Sequence, residues 1–145
     1  REFFNHARRA FGSSLDFKTF AQLWNDIFWE NRGIRPILRK LAKRYPLYLI
    51  SNTNQLHFDY LQREFRGIFR YFKRAFPSHE MGRRKPDRRI YWKVLRAVRL
   101  RPEETVFIDD MPRFVEAAKR VGMKGIRYRS NRRLVGELRR LGVKL

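Results

Sequence analysis

The chain has 145 residues, enough for one domain with a sizeable core. Hydrophobic residues make up 43% of it and charged residues 34%, which excludes a disordered chain. No apolar run approaches the ~20 residues that a membrane-spanning helix needs. Cysteine is absent, which excludes disulfide bonds and thiolate sites and leads us to expect a cytoplasmic protein.

The net charge is +21, and so large an excess of basic residues suggests nucleic-acid binding. The basic residues are spread along the whole chain, and one dense group comprises Arg83, Arg84, Lys85, Arg88 and Arg89. Charge of this kind reports non-specific attraction and says nothing about fold. Nucleic-acid binding is therefore kept as an alternative.

Residues 1–31 are predicted to be helical, with no strand. Asp16 suits the N-cap of a second helix, and a break follows at 31–33. Each of the two predicted helices carries a largely aromatic stripe, and stripes of this kind are typical of packing surfaces rather than of cofactor sites. The two predicted stripes are Phe3, Phe4, Ala7, Ala10 and Phe11, then Phe17, Phe20, Trp24, Ile27 and Phe28.

From residue 36 onward, predicted helices and strands alternate. Pro36 and Pro86 are each expected to begin a helix, and the helix after the first strand is expected to reach about Arg66. This alternation is typical of a parallel sheet with helices on both faces. We predict an α/β fold, a Rossmann-like three-layer parallel sheet with an all-helical N-terminal part. The predicted strands cover residues 47–50, 71–76, 106–108 and 125–128.

Two adjacent carboxylates, Asp109 and Asp110, follow the third predicted strand. The apolar run 106–108 is typical of a strand buried on both faces, and Pro112 suits the first turn of the next helix. Two carboxylates in this position repel each other unless a cation is near, and Mg²⁺ prefers carboxylate oxygen. The alternative is that they cap the helix and complement its dipole. Both interpretations stay open from this stretch alone.

Polar side chains of complementary type stand near other strand ends. Ser51 and Asn52 follow the first strand, and Lys85 lies in a loop before a helix. Ligands of open α/β sheets bind beyond the carboxyl ends of the strands, so we expect these groups to meet the acid pair. A hydroxyl, an ammonium group and a metal held by two acids suit phosphoryl transfer.

These motifs resemble those of the haloacid dehalogenase superfamily, specifically its phosphatase-like members with a helical cap. The resemblance covers residues ~36–130 and implies a division into a partial helical cap, 1–33, and a core lacking its first strand, 34–145. The stretches that carry it are 47–54 for the family's second motif, 82–87 with Ile90 and Tyr91 for its third, and 106–110 with Ala117, Ala118 and Gly122 for its fourth.

The resemblance also implies roles. Ser51 would hold the phosphoryl group with Asn52 beside it, and Lys85 would bridge the phosphoryl oxygens and the nucleophile. Asp110 is expected to ligate Mg²⁺, with Asp109 as a further ligand or its neighbour. The implied activity is hydrolysis of a small phosphate monoester, such as a sugar phosphate. The expected partner is this small substrate and not a membrane, and the oligomeric state is left open.

One departure concerns the family's first motif, Asp-x-Asp, whose acids act as nucleophile and general acid/base. None of the six aspartates stand at that spacing. We expect the motif on a preceding segment of ~50–60 residues, and we expect the 145-residue chain alone to be inactive. Removing that strand would expose the edges of its neighbours. The alternatives are a non-catalytic relative that binds nucleic acid or a ribonucleoprotein, and a metal-independent dehalogenase, which has little use for the acid pair.

Overall fold

A computed structural model describes residues 2–10, 12, 14–31 and 33–145, without the side chains of Glu2, Phe3 and Ala7. Phe11 and the side chains of Phe3 and Ala7, part of the first predicted stripe, therefore lie outside the description. The strands are β1 (Tyr48–Ser51), β2 (Arg74–Pro77), β3 (Val106–Asp109) and β4 (Lys124–Arg127). The helices are α1 (Glu2–Ala10), α2 (Phe17–Asn25), α3 (Ile34–Ala42), α4 (Gln55–Glu64), α5 (Arg66–Phe69), α6 (Ser78–Met81), α7 (Arg88–Val98), α8 (Pro112–Lys119) and α9 (Asn131–Arg140), with a 3-10 turn at Pro102–Glu104.

The four strands form two parallel pairs. β1 lies beside β2, with Ile50 opposite Phe76, and β3 lies beside β4, with Asp109 opposite Arg127. The parallel direction agrees with the prediction, but the strands form two separate two-stranded sheets instead of one. Within the described residues, β1 and β3 each pair with a strand along one edge only, so no strand joins the two pairs.

Helices cover the strands on both faces. Neighbouring residues of β3 point to opposite sides, since Phe107 joins one apolar cluster and Val106 packs against the other. Three layers result, as predicted. The first cluster holds Phe76, Met81, Ile90, Tyr91, Val94, Leu95, Phe107, Phe114, Ala117, Ala118 and Val121. The second holds Ile37, Leu41, Ile126, Leu134 and Leu138.

Burial of β3 is less complete than predicted. Phe107 is buried, but Ile108 keeps 36% of its surface exposed, and all four residues of β1 are only half-buried. The expectation of strands buried on both faces is therefore wrong at Ile108. The physical reason is the open side of β3, where no described strand covers it.

Side-chain caps explain where four of the helices, α2, α4, α7 and α9, begin. Asp16 caps α2 by accepting from the Thr19 amide at 2.8 Å, and α8 begins at Pro112, both as predicted. The prediction for Pro86 is wrong, because Asp87 accepts from the Arg89 amide and α7 begins at residue 88. Likewise α3 begins at Ile34, ahead of the predicted Pro36. The helix expected to reach Arg66 is divided into α4 and α5.

The aromatic residues of the N-terminal helices pack in a chain that reaches α4. The ring of Phe4 lies 5.1 Å from that of Phe20, Phe20 stacks on Trp24 at 5.6 Å, and Trp24 stacks on His57 at 5.7 Å. Ile27 follows the end of α2 and is 57% exposed, so its predicted place in the stripe is wrong. Among the described helices, none has the length and apolar character needed to cross a bilayer.

Candidate active site

Lys85 is a buried cation at the end of β3. Its Nζ donates to Asp109 Oδ2 at 2.6 Å, and both side chains are only 9% exposed. Nζ also lies 5.6 Å from the ring centre of Phe107 and 5.1 Å from that of Phe114. Because these rings keep water away, the ammonium group depends on Asp109 and on the ring faces for compensation. The loop containing Lys85 is thereby fixed to the acidic turn.

Asn52 joins the same loop to the end of β1. Its Nδ2 donates to the Lys85 carbonyl oxygen and its Oδ1 accepts from the Lys85 amide, both at 2.8 Å. These two bonds satisfy both backbone polar groups of a buried residue, which would otherwise cost free energy. Asn52, which follows β1, and Asp109, which ends β3, therefore both contact Lys85.

Ser51 is the last residue of β1 and is half-buried. Within the described part of the chain its hydroxyl forms no hydrogen bond, which leaves it available to an incoming group. The next turn is held by Ser78, whose Oγ accepts from the Thr53 amide at 3.1 Å and donates to the Thr53 carbonyl at 3.0 Å. Asn54 then caps α4 through the His57 amide. The turn after Ser51 is thus ordered by side chains.

The two acids differ in what surrounds them. Each oxygen of the Asp109 carboxylate accepts one hydrogen bond, Oδ2 from Lys85 and Oδ1 from the Met111 amide at 2.9 Å. Asp110 is exposed, and its carboxylate has no bonding partner among the described residues. Neither acid supplies the side-chain cap of α8, whose N-cap residue is Met111. The capping alternative is therefore wrong, whereas the position of both acids just before α8 agrees with the alternative that they complement its dipole.

The fit of a magnesium ion can be judged from these donors. Among the described residues no group of three or more histidine, aspartate or glutamate side chains could enclose a metal. Mg²⁺ commonly binds one or two carboxylates and completes its shell with water and substrate oxygens. Asp110 offers such a carboxylate and Asp109 lies next to it, so the pair suits this ion.

The family is identified by sequence comparison. The family model for haloacid dehalogenase-like hydrolases matches residues 5–122. The chain belongs to this family. The resemblance in the motifs is thereby confirmed.

Relatives within the family include several phosphatases. The chain is 34% identical over 106 residues to sesquiterpene phosphatase astK of Aspergillus oryzae, covering 72% of this chain and 54% of that protein. It is 28% identical over 120 residues to D-ribitol-5-phosphate phosphatase of Bacteroides thetaiotaomicron, covering 78% of this chain and 58% of that protein. The chain thus spans little more than half the length of these curated relatives.

Among solved structures, the chain is similar to the HAD family enzyme BT-2542 of Bacteroides thetaiotaomicron, crystallised with magnesium and inorganic phosphate. The TM-score is 0.83 at 27% identity, and the match covers 90% of this chain and 69% of that one. The predicted haloacid dehalogenase-like α/β fold is confirmed.

Sequence reasoning missed two polar residues at this end of the strands. Ser78 follows β2, and Arg127 ends β4, where its Nε donates to the Asp110 carbonyl oxygen at 3.4 Å. Ligands of parallel sheets bind beyond the carboxyl ends of the strands, and this rule, which indicated Ser51 and Asp109, would also have indicated Ser78 and Arg127. Arg127 thus brings a cation to the acidic turn.

The dense basic group does not form one surface. Lys85 is buried, while Arg83 and Arg89 both contact Asp87, with Nε and Nη2 at 3.9 Å and 2.8 Å from its Oδ2. The Arg89 guanidinium holds the pKa of Asp87 below its usual range. Three of the five cations are therefore engaged with carboxylates of this chain.

Proposed function

We propose that this chain forms most of a Mg²⁺-dependent phosphatase that hydrolyses a small phosphate monoester. The observation that carries the proposal is the position of Lys85, bonded to Asn52 on one side and to Asp109 on the other. A single buried cation thus joins two of the family's motifs at the carboxyl ends of their strands, where ligands of α/β folds bind.

Each residue has a proposed role. Ser51 donates a hydrogen bond to a phosphoryl oxygen, and Asn52 holds Lys85 beside it. The ammonium group of Lys85 has three N–H donors, of which Asp109 uses one, so the others can neutralise charge on the transferring group. Asp110, with Asp109 next to it, would hold Mg²⁺. The bound ion would offset phosphate charge and orient the group for in-line attack.

The nucleophile is proposed to come from a strand between β1 and β3. Both strands end at the site, and among the described residues each pairs along one edge only. A parallel strand inserted there would complete one five-stranded sheet and bring an Asp-x-Asp pair next to Lys85. In this proposal residues 1–33 are part of a helical cap, and 34–145 are the core without its first strand.

The substrate class is proposed from the relatives. One acts on a sesquiterpene phosphate by its name and another on D-ribitol 5-phosphate, so a small phosphorylated organic molecule is favoured, such as a sugar phosphate. A metal-independent dehalogenase is less well supported, because such chemistry leaves the exposed carboxylate of Asp110 without a role.

The experiment compares two chains on a chromogenic phosphate ester. A longer chain that carries an Asp-x-Asp strand ahead of residue 1 is expected to hydrolyse p-nitrophenyl phosphate with Mg²⁺ and to stop when EDTA is added. The 145-residue chain alone is expected to show no turnover. Turnover by the longer chain that persists in EDTA would contradict a magnesium-dependent phosphatase.

A further inference from the structure

Three side chains form a closed ring of hydrogen bonds at the linker that follows α2. Asn31 Nδ2 donates to the Tyr128 hydroxyl at 2.5 Å, and this hydroxyl donates to Asn131 Oδ1 at 2.9 Å. Asn131 Nδ2 then donates back to Asn31 Oδ1 at 3.3 Å. In this ring each of the three side chains donates one bond and accepts one, and the bonds polarise one another.

The backbone packs closely around this ring. A Cβ atom placed on Gly33 would collide with Asn131 Nδ2, so a larger residue at this position would displace the Asn131 amide from the ring. On the other side of the linker, Glu30 holds Arg35 through two bonds of 2.6 Å. The linker is thus held by contacts at Glu30, Asn31 and Arg35.

Tyr128 directly follows β4, which lies beside the acidic turn. Its amide donates to the Asp109 carbonyl oxygen at 2.8 Å. The preceding residue, Arg127, lies opposite Asp109 in the sheet and donates to the Asp110 carbonyl oxygen. Tyr128 therefore contacts the linker through its hydroxyl and Asp109 through its backbone amide.

The N-terminal helices have a second attachment at α4. His57 Nδ1 lies 2.8 Å from Asn25 Oδ1, and the Trp24 ring stacks on the imidazole. Two attachments at different places fix an orientation, whereas one would permit rotation about it. The ring at the linker and the contact at α4 are thus two separate attachments between the N-terminal helices and the rest of the chain.

We propose that Tyr128 is a positioning residue, whose hydroxyl sets the placement of the N-terminal helices relative to the Asp109–Asp110 turn. The meaning of this placement for catalysis rests on the proposed function, but the contacts themselves do not. Tyr128→Phe would keep the packing of the aromatic ring and remove two of the three bonds.

The test uses the absence of cysteine, which lets two labels be placed without background. Gln22→Cys on α2 and Arg96→Cys on α7 are both exposed, and their spin labels report the distance between the helices and the core. We expect one narrow distance distribution in the parent and at least a doubling of its width with Tyr128→Phe. Asn31→Ala, which removes the partner on the exposed linker, should broaden it equally.

Tyr45→Phe is the matched control, because the Tyr45 hydroxyl accepts from the Lys144 amide at 3.0 Å, a comparable long-range bond away from the linker. The proposal is overturned if Tyr128→Phe and Asn31→Ala leave the distribution narrow, or if Tyr45→Phe broadens it as much. Faster exchange of the Met111 amide, which donates to Asp109 Oδ1, is the second expected readout in Tyr128→Phe and Asn31→Ala and is not expected in Tyr45→Phe. Neither measurement needs substrate, so a negative result would not contradict the phosphatase proposal. An inactive longer chain, in turn, would not contradict the positioning role of Tyr128.

Discussion

Lys85 is a charged side chain in an apolar setting, and its contribution to stability follows from its contact with Asp109. Replacing it by methionine leaves the Asp109 carboxylate buried without a cation, so we expect Lys85→Met to lower the free energy of unfolding by about 3 kcal/mol or more. Urea denaturation measures this loss. Adding Asp109→Asn should restore part of it, since the uncompensated charge disappears.

Lys93→Met is the control for this prediction. Lys93 donates one bond to the Met81 carbonyl oxygen at 2.8 Å, and its loss should cost about 1 kcal/mol. Equal losses for the two lysine variants would show that the buried ion pair has no special importance.

Tyr91 gives the fold a dependence on alkaline pH. Its side chain is fully buried and its hydroxyl donates to the Phe114 carbonyl oxygen at 2.8 Å, and burial raises the pKa of Tyr91 above its usual range. The folded chain holds this proton more tightly than the unfolded chain, whose tyrosine pKa is about 10. Stability from this group is complete below about pH 10 and is lost as the pH rises further.

Urea midpoints measured from pH 8 to 11.5 should therefore fall above about pH 10 in the parent and less steeply in Tyr91→Phe. Tyr45→Phe, which changes a tyrosine that is 36% exposed, should keep the slope of the parent. If all three proteins had the same slope, Tyr91 would not be the source of the alkaline sensitivity.

At the level of elements, the packing of α8 on β4 depends on one glycine. A Cβ on Gly125 would lie 2.8 Å from Val115 Cγ1 and 2.9 Å from Lys119 Cγ. Gly125→Ala should therefore push helix and strand apart and cost about 1–3 kcal/mol in urea denaturation. The matched change, Gly136→Ala in α9, meets no atom within 4 Å and should stabilise by about 1 kcal/mol through helix propensity. A neutral Gly125→Ala would mean that this interface is loose.

The same elements show what the sequence could and could not predict. Helix starts at Asp16 and Pro112 were predictable because capping depends on residues next to each other. The bond between Asn52 and Lys85 joins residues 33 apart in sequence, so no local pattern could predict it, and only the strand-end rule and the family resemblance suggested that they meet. The exposure of Ile108 was not predictable, since it depends on which strand lies beside β3 and not on the apolar run itself.

At the scale of the whole molecule, the net charge is +21, and arginines line at least two separate grooves. Two sets of three arginines line different grooves, and Gln substitution of either set removes the same charge. We expect nucleic-acid binding to be weak, to vanish by about 200 mM salt, and to fall equally in the two triple variants. Electrophoretic mobility shifts across a salt series measure this. The sets are Arg88, Arg113 and Arg120 between α7 and α8, and Arg132, Arg133 and Arg140 on α9.

Binding that survives at higher salt and is lost in only one triple variant would contradict this expectation. It would favour the alternative of a basic module with a defined nucleic-acid groove. Equal losses would assign the charge to non-specific attraction.

The central claim, that Ser51, Lys85 and the acid pair serve one phosphate and one magnesium ion, is tested most directly at Asp110. This carboxylate is exposed and unbonded within the described residues, so Asp110→Asn should not disturb folding. The matched control is Asp59→Asn, an exposed aspartate on α4. In the longer chain we expect kcat/KM for p-nitrophenyl phosphate to fall by at least about 100-fold in Asp110→Asn and to stay unchanged in Asp59→Asn. Equal turnover by the two variants would contradict the claim.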